Sequence, residues 1–297
     1  VYALPLDPSV QIFLYRTDLF HDAKLCRAYY ERFHENLVVP TTYEQYLHAA
    51  EFFTRSCNPD SPTEYGTTMT CGSASVAASD FLPFYLSRID RFGSTPDTLR
   101  LDSPEMQAAM RQYHALEKFS CKQNWWGDSI QKFAEGKTAM TVIYSNYAAE
   151  LINSGNSVVV GRVGAAILPG CKPLLGGGIV GISRYSQKAE ACKQFFRWYY
   201  SADVASLLVR LGGTSPIVDA YEDFQNYSIF PWMNTSKKSF GLGQRGVKNQ
   251  TPERFSIPKY EFAVGTAVRN VVQDLMTPED ASRMAQALYD AADPISR

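Results

Sequence analysis

Apolar positions along this 297-residue chain switch repeatedly between a spacing of two and a spacing of three to four, so strands and helices are predicted to alternate. After an Asp7-Pro8-Ser9 turn, the run Val10-Gln11-Ile12-Phe13-Leu14-Tyr15 predicts a strand. Thr41-Thr42-Tyr43-Glu44 has the capping-box pattern, with Glu44 three residues after Thr41, and Tyr43, Tyr46, Leu47, Ala50 and Phe53 continue at helical spacing. Tyr65 to Thr70 reads as a strand, followed by a Gly/Ser/Ala loop and a helix around Asp80–Ile89. Ser103-Pro104-Glu105 places a cap before a proline and opens a helix to about Phe119. A short helix from Gly127 to Phe133 is ended at Gly136, and the strand Thr138–Ile143 follows.

Beyond a bend at Leu168-Pro169-Gly170 the pattern predicts a buried strand over Ile179–Ile182 and helices over Gln187–Tyr200 and Asp203–Leu211. Residues 221 to 257 read as polar loop, and two last helices span Pro258–Gln273 and Thr277–Ala292. Strands alternating with helices in this way argue for α/β layers with mostly parallel sheets.

Composition narrows the functions available. Twenty-nine basic and 30 acidic residues give a net charge of -1, which leaves no electrostatic footprint for nucleic acid or an anionic membrane surface. No apolar run approaches the ~20 residues of a membrane-spanning helix. The chain opens at Val1-Tyr2-Ala3-Leu4-Pro5, without a start Met or a leader's apolar core, and reads as a processed or truncated N-terminus.

Six cysteines (26, 57, 71, 121, 171 and 192) include no C-x-x-C pair, and the four histidines form no i,i+4 pair, so neither a metal site nor a cofactor is expected. Cys57 and Cys71 flank a turn-rich stretch and are the best-placed pair for a disulfide; the other reading makes most of the six small buried hydrophobes. Gly176–Gly181 and Gly241–Gly246 both fit G-x-G-x-x-G, but neither has the strand–turn–helix context that a dinucleotide site requires.

Seven segments in order resemble the family 1 extracellular solute-binding proteins of ABC importers, the group that includes maltose-binding proteins. They are Tyr2–Asp7 with Leu14–Phe20, Pro40–Tyr46, Phe133–Met140, Ala166–Gly170, Gly177–Ser183 with Glu190–Tyr199, Leu211–Pro216, and Tyr260–Val268. The resemblance implies a periplasmic-binding-protein-like (type II) α/β fold, two lobes joined by hinge strands, with the first lobe incomplete. Residues 1–9 would be a hinge strand, 10–165 and 223–297 the second lobe, and 166–222 the hinge return and partial first lobe. The family's opening stretch of about 100 residues, itself domain-sized, would be missing, and apolar helix faces of the partial lobe would be exposed. It further implies export to the periplasm or, lipid-anchored, to the cell surface, a carbohydrate or related polar solute as ligand, an ABC permease as partner, a monomer when complete, and no catalysis.

Sugars present apolar C–H faces between hydroxyls, so their sites combine aromatic platforms with carboxylates and amides. By resemblance, the loop Ile143-Tyr144-Ser145-Asn146-Tyr147 supplies candidates Tyr144, Asn146 and Tyr147, set against a packed helix start. Trp125 and Trp126, before the short helix, either line the cleft or cap the core. In Tyr260-Glu261-Phe262, Glu261 stands where the family places a stacking aromatic; it binds hydroxyls, or Tyr260 stacks, or the acid is solvated at a helix start. Asp7, Ser79, Asp80, Gly178 and Arg254 complete the candidates. Two other classes stay open: a ligand-sensing receptor on the same fold, and a carbohydrate-active enzyme, for which Asp80 and Glu261 are the only carboxylate pair to nominate.

Overall fold

Strand β2 is the axis of the fold. In the computed structural model, which describes residues 3–90, 99–153, 155–222, 230–244 and 256–291, a two-residue strand β1 (Leu4–Pro5) leads into β2 (Ser9–Arg16). Every side chain from Ser9 to Leu14 is buried, as expected of a strand covered on both faces.

Past the short helices α1 (Thr17–Phe20) and α2 (Ala23–Phe33), the chain forms α3 (Tyr43–Phe52), β3 (Thr67–Thr70), α4 (Ala74–Leu86), α5 (Pro104–Glu117), β4 (Ser120–Gln123), α6 (Trp126–Ala134) and β5 (Met140–Tyr144). A short α7 (Glu150–Asn153) precedes β6 (Val163–Ala166), β7 (Leu175–Gly176) and β8 (Ile179–Val180). Helices α8 (Ala189–Tyr199), α9 (Ala202–Arg210), α10 (Met233–Leu242), α11 (Ile257–Val272) and α12 (Pro278–Asp290) complete the described elements.

The sheet departs from the mostly parallel expectation at its centre. β5 pairs antiparallel with one edge of β2, from Gln11↔Tyr144 to Tyr15↔Met140. β6 and then β7 pair antiparallel with the other edge, through Leu14↔Ala165 and Val10↔Leu175. β5 and β6 therefore run in the same direction, and β3 pairs parallel with β4. β2 alone runs against its neighbours. It enters from the short crossing of β1 with β8, Leu4↔Val180 and Pro5↔Ile179, so the rule that orients strand–helix–strand units does not govern it.

Local chemistry explains where the helices begin. Ser103 Oγ accepts from Met106 N–H, and Thr277 Oγ1 from Asp280 N–H, each ahead of a proline in the first turn. The predicted capping box is present but shifted by one residue: Thr42 Oγ1 accepts from Gln45 N–H while Gln45 Oε1 accepts from the Thr42 amide. Helix α4 starts six residues earlier than its apolar pattern predicts, because Ser73 caps it at Val76 N–H.

α10 lies inside the stretch expected to be loop; its Met233, Ser236 and Ser239 are buried at three-residue spacing, a mixed face that apolar periodicity does not mark. The expected buried strand at Ile179–Ile182 is instead two residues long, with Ile179 76% exposed. All six cysteines are free thiols; Cys171 is exposed and the others half-buried, so neither the Cys57–Cys71 pairing nor burial as small hydrophobes describes them.

Helix α11 lies along α4 so closely that a β-carbon at Gly265 would fall 1.7 Å from the carbonyl oxygen of Ala74. Ala263, Val264, Ala267 and Val268 are buried along this seam. By contrast α8 buries none of its residues, and Phe195, Trp198, Leu207 and Leu211 of the α8–α9 pair are exposed. No described helix is long and apolar enough to cross a membrane.

Candidate functional site

A cavity of about 370 Å³ opens where several elements begin or end around the top of β2. Its floor is Ser9, the first residue of β2, with Gly176, the last residue of β7, and Gly177 just beyond it. Gly177 has φ +105°, and a β-carbon there would lie 2.3 Å from the Asp7 carbonyl oxygen, so only glycine fits this crossing. Gly178 N–H donates to Asp7 Oδ1, which fixes the Asp7 carboxylate at the cavity rim.

One wall is aromatic. Trp125 and Trp126 open α6, while Tyr144 ends β5 and Asn146 and Tyr147 sit in the 3₁₀ turn that follows. The four rings pack edge to face: Trp125 with Trp126 at 5.1 Å, Trp126 with Tyr144 at 5.0 Å and Trp125 with Tyr147 at 6.4 Å. Trp125 Nε1–H donates to the Tyr147 hydroxyl at 2.7 Å. Burial pushes the Tyr147 phenol pKa up, the indole hydrogen bond works against that shift, and the nearby Asp7 charge adds to it.

The facing wall is polar. Ser75, Val76 and Ser79 come from the first turns of α4, and Glu261 from the start of α11. The described lining contains two carboxylates, hydroxyls, an amide and aromatic rings, and no lysine, arginine or histidine. This chemistry suits a neutral polyhydroxylated molecule: ring faces for its C–H surface, and acceptors for its hydroxyls.

Eight of the expected residues thus come together: Asp7, Ser79, Trp125, Trp126, Tyr144, Asn146, Tyr147 and Glu261. Gly178 touches the site only through Asp7. Asp80 and Tyr260 do not line it. Asp80 turns inward, where its Oδ2 accepts from Thr70 N–H at 3.2 Å and the Tyr113 hydroxyl at 2.7 Å, and burial raises its pKa to about 7. Tyr260 is buried in the core, one residue around the helix from Glu261. Arg254 lies outside the described residues. With Asp80 in the interior, it and Glu261 are not a carboxylate pair across the cavity, and the arrangement a glycosidase requires is not formed by them. Among the described residues, no group of three or more His, Cys, Asp or Glu could hold a metal ion.

Sequence reasoning did not nominate Ser9, Ser75, Val76, Gly176 or Gly177. A signal for two of them was present in the Gly176–Gly178 run, where three successive glycines mark a place where backbones approach closely.

Gln11, buried in β2, braces the site from below. Its Nε2–H donates to the Ser79 carbonyl at 2.8 Å, and its Oε1 accepts from Leu174 N–H at 2.9 Å. Gln11→Met keeps the volume but leaves both backbone groups unpaired. It is expected to cost about 2–4 kcal/mol, read as a lower urea midpoint at unchanged slope.

The family model for bacterial extracellular solute-binding proteins matches residues 1–232. The chain belongs to this family. Solved structures of similar fold cover nearly all of a bacterial extracellular solute-binding chain such as this one. An ABC transporter solute-binding protein from Agrobacterium radiobacter K84, in complex with ribitol, aligns at TM-score 0.78 and 22% identity, covering 96% of this chain and 70% of that one. A counterpart from Agrobacterium vitis S4 with bound D-mannitol gives TM-score 0.75 and 20% identity over 98% and 72%. The maltose-bound MalE3 of T. maritima gives 0.74 and 20% over 97% and 72%. The α/β periplasmic-binding fold read from the segment order is therefore the fold of this solute-binding protein, and its family is one of substrate-binding, extracellular proteins.

Proposed function

We propose that this protein captures a neutral sugar or sugar alcohol in the cavity beside β2 and presents it to an ABC permease, breaking no bond. The observation that carries this reading is the lining itself: an aromatic wall faces two carboxylates and several hydroxyls, with no cationic side chain among the described lining residues. That three structurally similar proteins hold ribitol, D-mannitol and maltose supports the same class of solute.

In this reading residues 1–9 and the return near 166 are the hinge between lobes. Residues 10–165 and 223–297 form one lobe, and 166–222 are part of the other. Closure on the ligand would then turn on the two-residue pairing of β1 with β8. Support comes from the exposed apolar face of α8 and α9, which is the surface a partial lobe would leave uncovered. The protein acts outside the cytoplasmic membrane, in the periplasm or lipid-anchored at the cell surface.

Thermal unfolding against ribitol, D-mannitol, maltose and D-tagatose tests the reading. At a ligand concentration one hundred times Kd, linkage adds about 2.7 kcal/mol, an upward shift of roughly 4–5 °C for a chain of this size. Gluconate and glucuronate are expected to give no shift, since Asp7 and Glu261 face the cavity. No response to any neutral polyol would remove sugars and sugar alcohols as the solute class.

A further inference from the structure

Two adjacent tyrosines at the C-terminal end of α8 reach out of their own helix to the chain crossing beside the cavity. The Tyr199 hydroxyl donates to the Leu6 carbonyl, and the Tyr200 hydroxyl to the Pro5 carbonyl. The ring of Tyr199 is steadied from two directions, stacked on Phe195 at 5.9 Å and edge-on to Tyr200 at 5.4 Å.

Neither tyrosine lines the cavity, yet the two are not equivalent towards it. The Leu6 carbonyl and the Asp7 nitrogen share one rigid peptide plane, so a hydrogen bond to that oxygen fixes the plane from which Asp7 departs. The Pro5 carbonyl lies one peptide unit further back. Leu6 N–H donates to the Gly178 carbonyl at 2.8 Å, and Gly178 N–H donates to Asp7 Oδ1. Pro8 follows and restricts Asp7 to extended backbone. Asp7 is thus held at the cavity rim by its own crossing and, from outside that crossing, by a side chain of α8. The electrostatics agree. Burial pushes the Tyr199 phenol pKa up, with Tyr200 and the Asp7 charge adding to it, and the same Asp7 charge reaches Tyr147 of the aromatic wall.

Resting on the solute-capture reading above, we propose that Tyr199 is a positioning residue for the solute, setting through Leu6 the peptide plane from which Asp7 offers its carboxylate to a solute hydroxyl. Affinity in the cavity is thereby tied to the placement of α8, because a shift of that helix carries the Leu6 carbonyl, and Asp7 with it. Tyr200 grips the same segment but not the plane that carries Asp7, and only anchors the helix.

Isothermal titration calorimetry with maltose, D-mannitol and D-tagatose as probes tests this on the intact chain, in a cycle with Asp7→Ala. Tyr199→Phe removes the hydroxyl and keeps the ring. It is expected to weaken the tightest probe roughly threefold to tenfold, and to cost almost nothing further once Asp7 is replaced. Tyr200→Phe removes the same kind of bond and is expected to leave affinity as it was. Should Asp7→Ala bind too weakly to read, amide hydrogen exchange at Gly178 decides the matter. Its N–H is held by Asp7, so exchange should quicken in Tyr199→Phe and not in Tyr200→Phe. Unchanged affinity in Tyr199→Phe, an undiminished loss beside Asp7→Ala, or an equal loss in Tyr200→Phe overturns the proposal while leaving solute capture intact. If no probe binds the wild type, the solute-capture reading fails and this proposal fails with it.

Discussion

Gly265→Ala is expected to cost about 3–5 kcal/mol and to unfold much of the protein at 37 °C. The added methyl would meet the Ala74 carbonyl oxygen at 1.7 Å and its carbon at 2.5 Å. These are backbone atoms, so no side-chain rotation relieves the clash, and α11 must move off α4 as a body. The seam it opens is the one buried by Ala263, Val264, Ala267 and Val268. Glu261 starts the same helix, so any folded fraction should also bind ligand more weakly. Gly241→Ala is the control: it lies in α10 with no atom within 4 Å of the added carbon, and is expected to be neutral or stabilising by up to ~1 kcal/mol. Urea midpoints of the two variants provide the comparison. A Gly265→Ala midpoint as high as the wild type's would show that the α4–α11 contact is not the rigid seam described.

The second large effect depends on pH. Asp80 has an ordinary carboxyl pKa of 3.8 when unfolded and about 7 when buried in the fold, chiefly because burial disfavours the charge. Its hydrogen bonds from Tyr113 and the Thr70 amide offset only part of that. Between these two values the folded state holds a proton that the unfolded state has lost. Stability from this group is therefore full below about pH 4, falls as pH rises, and is gone above about pH 7, a change of roughly 4 kcal/mol. Asp80→Asn keeps an acceptor for both donors and cannot ionise. It is expected to match the wild type within about 1 kcal/mol at pH 5 and to exceed it by about 3 kcal/mol at pH 8. Urea unfolding at the two pH values checks this, and equal differences at both would remove Asp80 as the titrating group.

How much of this molecule was legible beforehand depended on how local the determining physics is. Helix starts at Ser103 and Thr277 were readable because a cap and its proline sit within four residues of each other. The direction of β2 was not, since it is set by partners more than 120 residues away, such as Tyr144 and Ala165. The same limit acted within the cavity. The segments bearing Tyr147 and Glu261 could be placed from family resemblance, and Trp125 from its position before a short helix, and their side chains do line one cavity. Ser79 lines it too, while its sequence neighbour Asp80 points into the interior; Glu261 and Tyr260 differ in the same way. One helical residue is about 100° of rotation, and a motif match does not resolve which side of that rotation faces the site. Ser75 and Ser9 carried no motif at all and were invisible until the chain was folded.

The cavity walls are assembled from first turns and strand ends, and the principal packing lies one layer deeper. Ser75 and Trp125 are exposed, whereas the α4–α11 seam is closed. Natural drift at these rim positions can therefore retune which solute is held without first compromising the scaffold. In this sense the fold is a chassis with an exchangeable grip, and close relatives are expected to diverge in what they carry sooner than in how they fold.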